Sequence, residues 1–342
     1  MYDDAELEIS PNYQRLFRWS LNQQSRFIES LLLGLPIPPI FAIETEERRY
    51  ELIDGLQRIS SYLHFIGILK NHDLYGGEKL KLTNCEIVPD LNGLTYNDLP
   101  NSLRIKVKRS YIRLYIIKRK SPPRVKYDMF KRLNTGGSLL SAQEIRNSTI
   151  RLLDHRLMDL IDSLSENTSF EKCITTVEDN DKKKQFDKEL VLRYFALRYV
   201  EKYKSFVSKE ENTLADYLTF FAEQVAQEEL NFDYEKEEVL FKKVFDQLNA
   251  SLGENVFKKK KGKEEDFQSQ FRAFEYEALS VGLSKVLEKN PTSTDFKEKI
   301  LTLKGQEKYS AYTENKQHKR TSGSKYFEFL EKRIKLAKRE LG

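Results

Sequence analysis

A chain of 342 residues with 39% hydrophobic and 32% charged residues, 21 Phe and 18 Tyr carries enough apolar surface for one or two buried cores, which excludes a disordered polypeptide. Its net charge of +5 is a small excess of 58 basic over 53 acidic side chains, which permits contact with nucleic acid without arguing for it. The two cysteines, Cys85 and Cys173, lie far apart without a CxxC partner or paired histidines; they exclude a zinc or disulfide framework and read as cytosolic thiols.

The acidic opening MYDDAELEIS lacks a leader pattern, and the most apolar run, FIESLLLGLPIPPIFAI, is interrupted by Glu29, Gly34 and three prolines. A cytoplasmic protein without a membrane span is therefore expected. In chain order, Tyr13, Gln14 and Arg15 come first, an arginine flanked by an amide and aromatics, with Trp19 just ahead of a helix. Leu21 to Leu33 places Phe27, Ile28, Leu31 and Leu32 on a 3.6-period stripe, and Gly34 with Pro36 ends that helix. Short β-like runs follow at Pro39 to Ile43, Tyr50 to Ile53 and Tyr111 to Ile117, alternating with helical stretches, so residues 1–150 read as an α+β domain.

After Arg146 the apolar spacing turns persistently helical, first at Leu190, Val191, Tyr194, Phe195 and Leu197, later at Phe271, Phe274, Ala278 and Leu279. This predicts an all-α domain over 151–342. The charged residues of the stretch from Asp187 to Phe195 read as a solvated helix face, and the lysine run Lys258 to Lys261 and the segment Asn315 to Lys325 as exposed loops. Lys319, Arg320 and Lys325 give that last segment the composition of a phosphate-contacting loop, a candidate DNA contact.

The segment with the most chemistry is Tyr50-Glu51-Leu52-Ile53-Asp54-Gly55-Leu56-Gln57-Arg58, a strand running through Asp-Gly into a helix. Backbone N–H groups at such a turn are unsatisfied and the helix dipole favours an anion there. Arg58 can grip phosphate, Gln57 can orient water or a sugar hydroxyl, Asp54 can hold a divalent metal or accept a proton, and Gly55 lets a ligand approach the backbone. The bland alternative is a helix start with Asp54 as cap and Arg58 in solvent. Downstream, Asn134, Thr135, Gly136, Gly137 and Ser138 form a turn-rich loop suited to an anion nest, and Ser141 with Glu144 reads as a capping box for a helix presenting Arg146. The simplest alternative there is a glycine turn between helices.

Taken together, YQRxxxW, a helix ending in GLPIPPI, a strand into DGLQR, and FKRLNTGGSLLSAQEIR resemble, in order and spacing, the GmrSD restriction-endonuclease N-terminal domain family over about residues 9 to 150. The resemblance implies a ParB/sulfiredoxin-like fold that binds and hydrolyses a nucleoside triphosphate with Mg2+ in bacterial anti-phage or modification-dependent DNA restriction. It assigns Asp54, Gln57 and Arg58 to catalysis, with Asp54 on the metal. Nucleotide binding falls to Arg15, Gly55, Arg58, Asn134, Thr135, Gly136, Gly137 and Arg146, and modification sensing to Tyr13, Gln14 and Trp19. Leu56 departs from the family, which most often has a glutamine there.

No Asp-His-x-x-Pro element or histidine pair exists among His64, His72, His155 and His318, so no C-terminal HNH nuclease is expected; His64 reads as packed in a helix. No P-loop, GxSxG or HExxH motif occurs. Three readings follow: a non-P-loop NTPase whose partners are nucleotide, DNA and a separate nuclease subunit; a non-catalytic DNA- or partner-binding sensor; and a nuclease using Asp54, Glu51 or Glu144. The third is the weakest, because Glu51 and Asp54 lie an odd step apart on one strand.

Overall fold

The computed structural model describes residues 4, 6–9, 19–45, 47–69, 79–121, 125, 129, 142–151, 153–182, 184–262, 266–309 and 324–342. The chain divides into two compact units, Met1–Ser138 and Leu139–Gly342, ahead of the boundary expected at residue 150. Arg146 therefore belongs to the second unit.

In the first unit, β1 (Leu7–Glu8), α1 (Leu21–Leu33), β2 (Ile40–Glu44), β3 (Tyr50–Asp54), α2 (Leu56–Ile66), α3 (Asn101–Lys108) and β4 (Leu114–Ile117) follow one another. The helix α1 has the bounds its stripe predicts. Ser20 and Gln23 make a reciprocal capping box at its start, and Gly34 closes it in the left-handed conformation. The strands form one mixed sheet in the order β1-β3-β2-β4, with β3 antiparallel to β2 and the outer two strands parallel to their neighbours.

Ile40, Ala42 and Leu52 of the sheet pack against Leu63 of α2, with Leu56 and Ile59 beside them. On the far side of α2, Phe65 joins Phe27, Ile28, Leu31 and Leu32 of α1 and Val107 of α3 in a second cluster. Between the helices His64 is buried, its Nδ1 lying 2.8 Å from Gln24 Oε1, as its place in an apolar helix leads one to expect.

Among its described residues the regular structure of the second unit is helical apart from one hairpin, so the all-α expectation gives way at a specific place. Its helices are α4 (Ala142–Arg151), α5 (Arg156–Ser165), α6 (Thr168–Cys173), α7 (Asp179–Lys182), α8 (Phe186–Arg198), α9 (Lys204–Val207), α10 (Leu214–Ala226) and α11 (Tyr234–Leu252). After the hairpin come α12 (Ala273–Lys289), α13 (Lys297–Gly305) and α14 (Ser324–Leu341). The lysine run is β5 (Lys258–Lys261), paired antiparallel with β6 (Asp266–Phe271), and Phe271 ends a strand instead of opening a helix. Lys258 leaves solvent because its ammonium reaches Asn255 Oδ1 at 2.8 Å while Phe257 and Phe271 pack beside the strand. A run of like charges could not specify that from local pattern alone.

The charged residues of α8 are not a solvated face. Leu190 to Leu197 are all buried, Arg193 among them. Arg193 donates to Glu189 at 2.6 Å and to Glu277 at 2.9 Å; Glu277 also accepts from Arg333 at 3.1 Å and from the Tyr326 hydroxyl at 2.8 Å. Burial works against the Arg193 charge, but Glu189 and Glu277 outweigh it and hold the guanidinium above its ordinary pKa. Burial likewise opposes the Glu189 carboxylate, and Arg193 and Arg146 outweigh it and hold its pKa below the usual range. Against this hub α14 lies close on α12, where a Cβ on Gly282 would come within 2.7 Å of Ala337 Cβ.

Glu277→Ala leaves two buried guanidiniums facing an empty site, so an unfolding free energy lower by about 3–5 kcal/mol is predicted. Urea denaturation checks this, and a loss below about 1 kcal/mol would show that the hub carries little. Both thiols are buried. Burial, helped by Glu29, pushes Cys85 up to about 11, and burial, helped by Asp246, pushes Cys173 up to about 12. A raised thiol pKa keeps the group protonated as pH rises. Alkylation of the folded protein at about pH 8 should thus run roughly two orders of magnitude slower than for a free thiol, recovering in denaturant; labelling of either thiol at the free rate would contradict the burial.

Candidate functional site

The strand β3 ends at Asp54, and Gly55 turns the chain into α2 with φ +98°, a conformation L side chains rarely adopt. Space imposes the same choice, since a Cβ on Gly55 would sit 2.2 Å from Ile40 Cγ2. The role expected for Gly55, approach by a ligand, is thus preceded by approach of β2 itself. The N-cap of α2 is Gly55 itself, which has no side chain to offer as a cap.

Asp54 does not cap the helix; its Oδ2 accepts from Arg58 Nη2 at 2.6 Å, and Arg58 Nη1 donates to the Pro38 carbonyl at 3.0 Å. The Arg58 side chain is 14% exposed and that of Asp54 31% exposed. The bland sequence reading, a solvent-facing Arg58, therefore fails. Its guanidinium is fixed between a carboxylate and a carbonyl at the mouth of the helix, preorganised as a fork for an anion.

Gln57 Oε1 accepts from the backbone N–H of Trp19 at 2.9 Å, while Gln24 Nε2 donates to the Trp19 carbonyl at 3.0 Å. The glutamine expected to orient water is thus also the clamp that holds the chain entering α1 onto the start of α2. The Trp19 ring packs edge-on against Phe27 with centroids 5.8 Å apart, a core contact. Leu56 faces the apolar cluster under the sheet, so the position where the family most often has a glutamine serves packing here.

Of the other expected site residues, two fall within the described part of the second unit. Arg146 is buried in α4 of the second unit, where it bonds to Gln143 Oε1 and to Thr219 Oγ1 at 3.1 Å and lies 3.7 Å from Glu189. It is thus a member of the helical unit's charge network. Lys325 lies in the first turn of α14, exposed, where a loop was expected. Tyr13, Gln14, Arg15, Asn134, Thr135, Gly136, Gly137, Lys319 and Arg320 lie outside the described residues, as do Ser141 and the side chain of Glu144. Among the described residues no trio of His, Cys, Asp and Glu is grouped to hold a metal.

Residues 1–151 match the GmrSD restriction endonuclease N-terminal domain. They form a domain of that family. The match takes in the whole Asp54–Arg58 turn and ends with the last residue of α4, so the family's segment runs past the first compact unit into the second. No curated protein and no solved structure matches the chain. Among the described residues no helix is long and apolar enough to cross a membrane.

Gly55→Ala meets both the left-handed backbone and the stiff, β-branched Ile40. A loss of at least about 1–2 kcal/mol from the backbone alone is predicted, with more from the clash. Chemical denaturation measures it, and wild-type stability in Gly55→Ala would mean the turn relaxes freely.

Proposed function

We propose that the GmrSD-type domain binds a nucleoside triphosphate at the turn between β3 and α2 and hydrolyses it with Mg2+, as part of a modification-dependent DNA restriction system. The observation that carries this reading is the start of α2 at Gly55, with Arg58 and Asp54 fixed beside it. Terminal phosphates would lie against the backbone at the start of α2 and the Arg58 guanidinium, where the helix dipole favours negative charge. Asp54 would supply one carboxylate oxygen to Mg2+, which takes its remaining ligands from water and phosphates. The four-stranded sheet packed on α2 is the element we assign to a ParB/sulfiredoxin-like scaffold. DNA and a separately encoded nuclease subunit are the partners this role calls for.

One observation favours a second reading, nucleotide binding without turnover in a sensor. Leu56 is turned into the core and Gln57 Oε1 is engaged by Trp19, which leaves the motif without a glutamine dedicated to water. In that case ligand binding would act through the Gln57 to Trp19 contact on the segment ahead of α1.

Phosphate release and equilibrium binding for ATP, GTP, CTP and UTP, with Mg2+ and with or without DNA, separate the readings. Arg58→Ala should weaken binding about 10- to 100-fold, the scale of a charge-assisted contact, and abolish release. Asp54→Asn should keep binding and lose release. Binding without release in the wild type selects the sensor, and absence of binding for all four nucleotides rejects the site. Trp19 is the chain's single tryptophan; its fluorescence provides a readout beside the turn.

A further inference from the structure

On the same sheet, next to the proposed phosphate site, lies an aromatic surface outside the clusters that hold α1 and α2. Phe41 of β2 is the register partner of Asp54 on β3 and of Tyr115 on β4. Phe41 and Tyr115, directly opposed in the regular β2–β4 pairing, share a face of the sheet, and Asp54 lies opposite Phe41 across a bulge in the β2–β3 register. The Phe41 and Tyr115 rings stack with centroids 5.4 Å apart and planes 28° apart. Tyr115 remains 46% exposed and Phe41 is half-buried. Arg113, exposed on the same edge, donates from Nη1 to the Tyr115 hydroxyl at 3.4 Å.

A single exposed tyrosine needs no explanation. Two rings stacked on one another, the outer one exposed, beside the strand that carries a carboxylate are a more specific arrangement. Strands lie about 4.8 Å apart, so Tyr115 stands roughly 10 Å from Asp54 across the sheet. That is the scale on which a nucleotide extends from base to terminal phosphate. An aromatic face with a guanidinium and a hydroxyl at its rim suits a heteroaromatic base, which stacks through its face and bonds through its edge.

We infer that Phe41 and Tyr115 are the base-stacking platform for the nucleotide whose phosphates bind at the start of α2, with Arg113 at the base edge. The inference rests on the phosphate site proposed above. It places the base toward the β4 edge of the sheet and the phosphates toward α2.

Calorimetric titration of the full chain with each of the four nucleoside triphosphates and with inorganic tripolyphosphate, all with Mg2+, tests it. Tyr115→Ala should weaken the preferred nucleotide about tenfold, as expected for loss of one base-stacking contact. The same variant should leave tripolyphosphate within about twofold, and Tyr115→Phe should hold both ligands within about twofold. Nucleotide binding that ignores Tyr115→Ala overturns the platform and leaves the phosphate site standing. Equal weakening of nucleotide and tripolyphosphate overturns it as well, since the residue would then act on the turn's integrity. If Tyr115→Ala weakens an unpaired DNA oligonucleotide and spares the nucleotide, the platform serves a DNA base and the inference is wrong. If neither nucleotide nor tripolyphosphate binds the wild type, the phosphate site and the platform fall together.

Discussion

The close approach of Gly55 to Ile40 is the constraint from which the first unit's site follows. A positive φ at Gly55 reverses the chain out of β3 at once, and the missing Cβ lets α2 start directly beside β2. The helix therefore begins where Asp54 and Arg58 already face each other. A residue with a side chain at position 55 would push β2 and α2 apart and dissolve that arrangement. Local geometry and packing thus require the same glycine for separate reasons.

Around this turn, polar groups hold the elements in register. Gln57 reaches back to the Trp19 N–H, Gln24 holds the Trp19 carbonyl, and His64 closes the series against Gln24. Each is buried or half-buried and each bond satisfies a group that would otherwise be costly to desolvate. The consequence is that the start of α1 is tied to the start of α2 through the Trp19 backbone.

The second unit solves a different problem. Helix α8 is buried from Leu190 to Leu197, and it carries charge into the core because Glu189 and Glu277 meet Arg193, with Arg333 sharing Glu277. Such a network adds little net stability over an apolar core, yet removing one member takes a counter-charge from buried neighbours, so it fixes which helices lie together. Tyr276 and Tyr217 reinforce this by donating to the α8 carbonyls of Leu190 and Ala196.

The sequence by itself determined the elements whose signals are local: the apolar stripe and glycine stop of α1, the strands around Ile40 and Leu52, and the strand-to-helix turn with its Asp54 and Arg58. In these places a side-chain period or a glycine acts on its immediate neighbours, so residue order carries the information. Tertiary structure alone decided the rest. That Arg58 is fixed by Pro38, that Gln57 clamps Trp19, that Arg146 and Arg193 are core residues, and that four lysines form a strand all depend on partners distant in sequence. A charged side chain reads as solvated until its counter-ion is known, and a lysine run reads as a loop until an aromatic strand is laid against it. The placing of Asp54 and Tyr115 on either side of Phe41 is the clearest case, because strand register, which no local pattern encodes, brings the three together.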